Sequence, residues 1–290
     1  MGTVRTMAAI DQDSMETYRQ EVEVCAAYLT KRLSAPLDLL IQLGTGLGDL
    51  AAAMDQPMVF PYAELPHFPK ATVTSHSGNL AVGRLAGKYT AILQGRFHWY
   101  EGYSARRVGF PIRVLSRLGA KIALITNASG GLNPDYRPGT IMVVADHINL
   151  LPDNPLRGPN VDAWGKRFPD CSQPYDKDLQ GLLRKGAAAL RDADITSGTY
   201  VCVPGPSLET PAETRFLRLI GADAVGMSSV PEALTALHAG MRVAALSMVA
   251  NVNDPDHFIP IRIEEIVAAA QAAQPRLRQL IQHFIASITL

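Results

Sequence analysis

Five short apolar runs, residues 39–43, 91–94, 122–126, 200–203 and 244–249, recur along the chain, and each stops abruptly at small, polar or charged residues. Continuous runs of Val, Ile, Leu and Ala at this length predict strands buried on both faces. Helical periodicity fills the gaps between them over 105–118, 176–190, 211–220 and 231–239. Upstream, Val22, Cys25, Ala26, Leu29 and Leu33 mark one face of a first helix that Pro36 closes. Asp13 with Glu16 predicts its capping box, so residues 1–13 read as a mobile extension ahead of one domain over 14–290. The Ala-rich amphipathic stretch 262–285 predicts a C-terminal helix. Strands alternating with helices predict an α/β fold, a mostly parallel or mixed central sheet covered on both faces, with ligands bound beyond the carboxyl ends of the strands. The polar clusters should then meet on one rim. The Pro- and Gly-rich segment 150–174 is long for a connection without structure of its own, and such loops tend to be functional.

Charge narrows the choice of partner. The chain has 27 Lys plus Arg against 27 Asp plus Glu, so it carries no net field suited to a nucleic-acid backbone or an acidic membrane, and the expected partner is a small molecule. Cys25, Cys171 and Cys202 lack metal-ligand spacing, which argues against a metal site or a disulfide framework and fits a reducing cytoplasm. No apolar stretch approaches the roughly 18 residues of a membrane span, and the N-terminus lacks the order of a signal peptide. Met1 to Thr6 matches a myristoylation pattern, but one such acyl chain anchors only marginally.

Each polar cluster has a chemical and a structural reading. Gly44-Thr45-Gly46-Leu47-Gly48 lets backbone N–H groups and the Thr45 hydroxyl approach an anion, or forms an ordinary tight turn. The spacing of a dinucleotide fingerprint and the lysine of a P-loop are both missing. Arg96 and His98, two residues apart after a strand, face the same side of an extended segment, as an anion grip or as a surface ion pair beside a half-buried imidazole. Glu209 precedes a helix, where an acid also simply offsets the macrodipole. Asn251 at a strand end serves equally as a turn former, and Met227 as core. His76 is ambiguous between a turn, a core position and chemistry.

In order, Gly44 to Gly48, Phe68-Pro69, His76, 94–103, 126–133, 146–150, 154–160, 205–210, 221–228 and Val230-Pro231-Glu232 resemble the trimeric purine nucleoside phosphorylases, the family that also contains methylthioadenosine phosphorylase. The resemblance runs from about Leu39 to Ile285. It implies a partly barrel-like sheet and a phosphate-dependent pentosyltransferase of purine salvage, with no cofactor, phosphate being a co-substrate. It further implies that Thr45, Arg96, His98, the Ala128 N–H and Ser228 hold phosphate, and that Tyr100 and Met227 contact the ribose. Glu209 and Asn251 read the base, with Val225 and Leu208 beside it; His98, Glu209 and Asn251 carry the catalysis. Phe168 closes the sugar site of a neighbouring subunit in a homotrimer.

Departures from the family gather near residue 250. A Thr usually precedes the purine-reading Asn and a Lys follows it, where this chain has Ala250 and Val252; Ile263 stands where the family has a His that meets the ribose 5′-hydroxyl. His257 is an alternative source of that contact. The methylthio branch also has an apolar residue at the 5′ end, but it carries Asp at the positions of Asn251 and Asn253. Inosine and guanosine are therefore the expected substrates, a 5′-modified 6-oxopurine nucleoside such as methylthioinosine the second reading, and a non-catalytic nucleoside-binding protein the third.

Overall fold

Side-chain alternation decides how each strand is covered. In β1 (Leu39–Gln42), Leu40 enters one core cluster while Leu39 and Ile41 enter another, as the two-residue period of a strand requires. The computed structural model describes residues 7–44, 48–70, 77–260 and 262–289; Thr45 and His76 lie outside the described residues. The chain continues through β2 (Asp55–Pro61), β3 (Asn79–Leu85), β4 (Lys88–Gln94), β5 (Ile122–Gly131), β6 (Ile141–Asn149), β7 (Ile195–Cys202), β8 (Ala224–Gly226) and β9 (Arg242–Val252). Its helices are α1 (Met7–Thr30), α2 (Ala105–Val108), α3 (Phe110–Arg117), α4 (Lys177–Ala189), α5 (Pro211–Leu219), α6 (Val230–His238) and α7 (Ile263–Ser287).

Among the described residues the strands form one mixed sheet in the order β2-β3-β4-β1-β5-β8-β7-β6-β9, and β9 pairs back onto β5. That pairing closes five strands into a barrel and leaves β1 to β4 as an open extension. On one face, residues of α1, α3 and α6 such as Val22, Leu29, Ile112 and Ala233 pack over Leu40, Leu93 and Ile125. On the other, Leu179 and Leu183 of α4 and Leu277, Leu280 and Phe284 of α7 cover Ile41, Ile122 and Leu124. The whole is a single α/β domain.

Several local expectations shift. The first helix starts at Met7 and runs through Asp13, so Asp13 is not its cap. The helix expected over 105–118 is two helices, because Gly109 caps α2 and Pro111 sits in the first turn of α3, where a missing N–H costs nothing. Residues 127–131 and 250–252, read as the ends of runs, are strand. Segment 150–174 has no helix or strand, as expected.

Candidate active site

One cavity of about 200 Å³ collects residues from seven separate stretches of chain, two of them represented by Gly44 after β1 and Ile266 of α7. Arg96, His98 and Tyr100 come from the turn after β4, and Asn127, Ala128, Ser129 and Gly130 from the second half of β5. Leu208 and Glu209 lie between β7 and α5, Val225 to Ser228 close β8, and Asn251 with Asn253 end β9. The site is not one rim of a parallel sheet: β8 runs antiparallel to β5, pairing Val225 with Gly130, and β7 runs parallel to β8. The cavity lies where β8 crosses the carboxyl half of β5.

Arg96 is buried and held from three sides. Nη1 donates to Ser228 Oγ at 2.8 Å and Ser229 Oγ at 3.0 Å, Nη2 donates to the Thr126 carbonyl, and Nε stands 3.6 Å from Glu232. A guanidinium has five N–H donors, and these three bonds leave one Nη2–H and the Nε–H, which faces Glu232 beyond hydrogen-bond distance. A serine hydroxyl that accepts keeps its own proton to donate, and Ser228, whose Oγ also lies 3.4 Å from Ser229 Oγ, lines the cavity. The frame behind is equally fixed. Ser247 Oγ donates to Asn127 Oδ1 at 2.6 Å, and Asn127 Nδ2 donates to Ser229 Oγ at 2.8 Å. Ser229 itself has φ 73° at the start of α6, a left-handed conformation uncommon outside glycine and typical of functional sites. Burial raises the Glu232 carboxyl pKa, and the Arg96 charge opposes that rise.

His98 opens a short 3₁₀ turn, Trp99–Glu101. Its backbone N–H and its Nδ1 both meet Glu101 Oε1, at 2.9 and 2.7 Å. Burial lowers its pKa to about 4, outweighing the hydrogen bond to Glu101, which raises it. A neutral imidazole that donates Nδ1–H to a carboxylate has an accepting Nε2. Tyr100 stacks on this ring at 4.6 Å and 15°.

On the opposite side of the cavity, Asn251 Nδ2 donates to Asn253 Oδ1 at 2.6 Å, and Asn253 Nδ2 donates to Glu209 Oε2 at 3.2 Å. Burial raises the Glu209 pKa, while its own backbone N–H and the Asn253 amide lower it. The helix-capping role that would explain an acid at this point belongs to Glu213, whose carboxylate and backbone N–H form a reciprocal capping box with Thr210. Glu209 is left to face the cavity.

Arg96, His98, Tyr100, Ala128, Leu208, Glu209, Val225, Met227, Ser228 and Asn251 thus share one cavity. Phe168 does not line it; it is 84% exposed on the long loop. Nor does His257, which is exposed and pairs with Asp254 at 3.1 Å. The sequence reading missed Asn127, Ser129, Ser229, Asn253 and Ile266 as site residues. Ser229 and Asn253 each adjoin or nearly adjoin a predicted residue, but no spacing rule separates their roles from a turn.

A barrel extended by an open sheet, with a held guanidinium and an amide–carboxylate pair in one cavity, is the architecture of a nucleoside-type phosphorylase. The Phosphorylase superfamily model matches residues 38–286, and the chain belongs to that superfamily and to its purine nucleoside phosphorylases, which are pentosyltransferases. Purine nucleoside phosphorylase 1 of Bacillus subtilis is 42% identical over 268 residues, 92% of this chain and 98% of that protein. Two crystal structures of schistosome purine nucleoside phosphorylase, one with hypoxanthine and one with adenosine, superpose at a TM-score of 0.89. Each is 37% identical and covers 93% of this chain and 98% of the other.

Proposed function

We propose that this chain catalyses phosphorolysis of 6-oxopurine nucleosides, releasing the base and ribose 1-phosphate. One observation carries the reading: the Arg96 cluster is anchored at Thr126 and Asn251 pairs with Gly130 on the same strand. Four residues of strand span about 13 Å at about 3.3 Å per residue, the scale of a phosphate, a sugar and a base in line. In this reading Arg96, Ser228, the Ala128 N–H and Thr45 donate to phosphate and the accepting Nε2 of His98 takes a phosphate O–H, Tyr100 and Met227 meet the ribose, and Glu209, Asn251, Val225 and Leu208 meet the base.

The C1′–N9 bond lengthens first, its electron pair leaving with the purine while positive charge grows on the ribose. A phosphate oxygen lone pair then forms the new C1′–O bond, with no covalent enzyme intermediate. Asn251 has a second amide hydrogen for N7, whose basicity rises only as the bond breaks, so the donor favours the transition state over the substrate. Ionised Glu209 accepts N1–H of hypoxanthine or guanine, whereas adenine presents a lone pair there. Discrimination of roughly 10⁴ is expected when a buried acceptor is left facing a lone pair. The adenosine-bound relative makes turnover, not occupancy, the deciding quantity.

The reading extends to a cytoplasmic homotrimer in which Phe168 of one subunit covers the sugar site of the next. Its support is the exposure of Phe168 and the sequence resemblance. A second reading, a 5′-modified 6-oxopurine nucleoside such as 5′-deoxy-5′-methylthioinosine as substrate, is favoured by Ile266 in the cavity lining and by His257 lying outside it. Base release from inosine, guanosine, adenosine and methylthioinosine, with and without phosphate, tests both. Phosphate-dependent release from inosine or guanosine is expected; equal turnover of adenosine overturns the 6-oxo assignment, and a marked preference for methylthioinosine selects the second reading.

A further inference from the structure

Asn253 is buried, 3% exposed, and every polar group it has is engaged. Its N–H donates to the Gly131 carbonyl at 2.9 Å, and its carbonyl accepts from Arg218 Nη2 at 2.6 Å. The side-chain amide accepts from Asn251 and donates to Glu209 at the distances given above. Gly130 leaves room for this bridge: a Cβ there would stand 3.4 Å from Asn253 Nδ2. The orientation of the bridge follows from chemistry. An ionised carboxylate only accepts, so Asn253 must turn Nδ2 toward Glu209 and Oδ1 toward Asn251. Asn251 must then answer with Nδ2.

We propose that Asn253 is a positioning residue that couples the two base-reading groups, so that an ionised Glu209 orients the Asn251 amide with its donor toward the departing purine. The inference rests on the 6-oxopurine reading above and adds to it a specificity device. Recognition at N1 and stabilisation at N7 become one event, because the same hydrogen-bonded chain sets both. A base without N1–H loses more than one contact. The charged groups near Glu209 fit this role: Glu213, on α5, raises its pKa, while Arg218 and Arg215 are turned to the Asn253 carbonyl and to Asp256. Among the described residues, the Asn253 amide is the side chain that hydrogen-bonds the Glu209 carboxylate.

The test compares pH profiles of kcat and kcat/KM for inosine in the wild type, Asn253→Leu and Asn253→Asp. Leu removes both halves of the bridge. The acid limb is expected to rise by about one pH unit, since Glu209 loses a donor to its charged form, and kcat to fall about tenfold or more as Asn251 loses its orientation. Asp keeps an acceptor for Asn251 but sets a second carboxylate beside Glu209, so the acid limb rises further while kcat above it is largely kept. An unmoved acid limb in both variants, or a kcat loss in Leu with the limb unchanged, overturns the proposal. If one variant fails to fold, the limb of the other decides. The wild-type ratio of inosine to adenosine turnover tests the underlying reading separately, so either can fail alone.

Discussion

Asn251 has two amide hydrogens, and Asn253 takes one of them. Replacing Asn251 with Ala removes the other, and kcat for inosine is expected to fall about 10²–10³-fold with a smaller change in KM, as for loss of a single transition-state donor; single-turnover base release measures it. Under the proposed function, Glu209 sets the pH dependence. Its raised pKa means that the accepting carboxylate is complete only above the ordinary range of a Glu and is lost as pH falls through the raised value. The acid limb of kcat/KM for inosine should therefore lie above the ordinary Glu range, and Glu209→Gln should abolish that limb. His98, with a pKa of about 4, is neutral through this range and adds no second limb above it. At this scale the residue types were readable from the chain: a guanidinium, an imidazole, an acid and an amide at strand ends. Their partners were not, because Ser229 and Asn127 reach Arg96 and its neighbours across about a hundred residues of sequence.

Gly44 follows β1 beside the backbone of its parallel neighbour β5, and a Cβ there would stand 2.7 Å from Asn127 Cα. Backbone cannot rotate aside, so Gly44→Ala should destabilise the protein by about 1–3 kcal/mol, toward the upper end, read from denaturant midpoints at unchanged m. Farther from the cavity, Arg276 of α7 binds Asp192 with two hydrogen bonds, 2.7 and 2.6 Å, and the Gly139 carbonyl at 3.0 Å. The ion pair lowers the Asp192 pKa. Its contribution is thus full above the ordinary carboxylate pKa and lost as pH falls through the lowered one. Asp192→Asn should cost about 1 kcal/mol at pH 7 and progressively less as pH falls below the ordinary carboxylate range, measured by thermal unfolding across that range. Periodicity identified the elements of this layer well where burial is one-sided or complete. It misjudged their ends, since polar Asn127, Ser129 and Asn251 continue β5 and β9 by pairing with each other's strands, a cause outside any local window.

For the whole molecule, the long loop holds Phe168 outward, 84% exposed, which fits the proposed assembly in which each subunit completes its neighbour's sugar site. Scattering or sedimentation should give a trimer. Phe168→Ala should leave that mass unchanged and raise KM for inosine by about tenfold, the value of roughly 1.4 kcal/mol from burying part of an aromatic ring; a monomer in solution would sink the arrangement. Composition, apolar runs and turn residues were enough to establish an α/β chain with polar chemistry at its strand ends, since burial and backbone conformation act locally and leave a periodic trace. Closure of the barrel by β5 and β9, the crossing of β8 that carries Ser228 to Arg96, and the bridge from Asn251 through Asn253 to Glu209 leave none. They depend on which distant segments share a hydrogen-bonding edge or a buried volume, and only the folded chain brings those segments together.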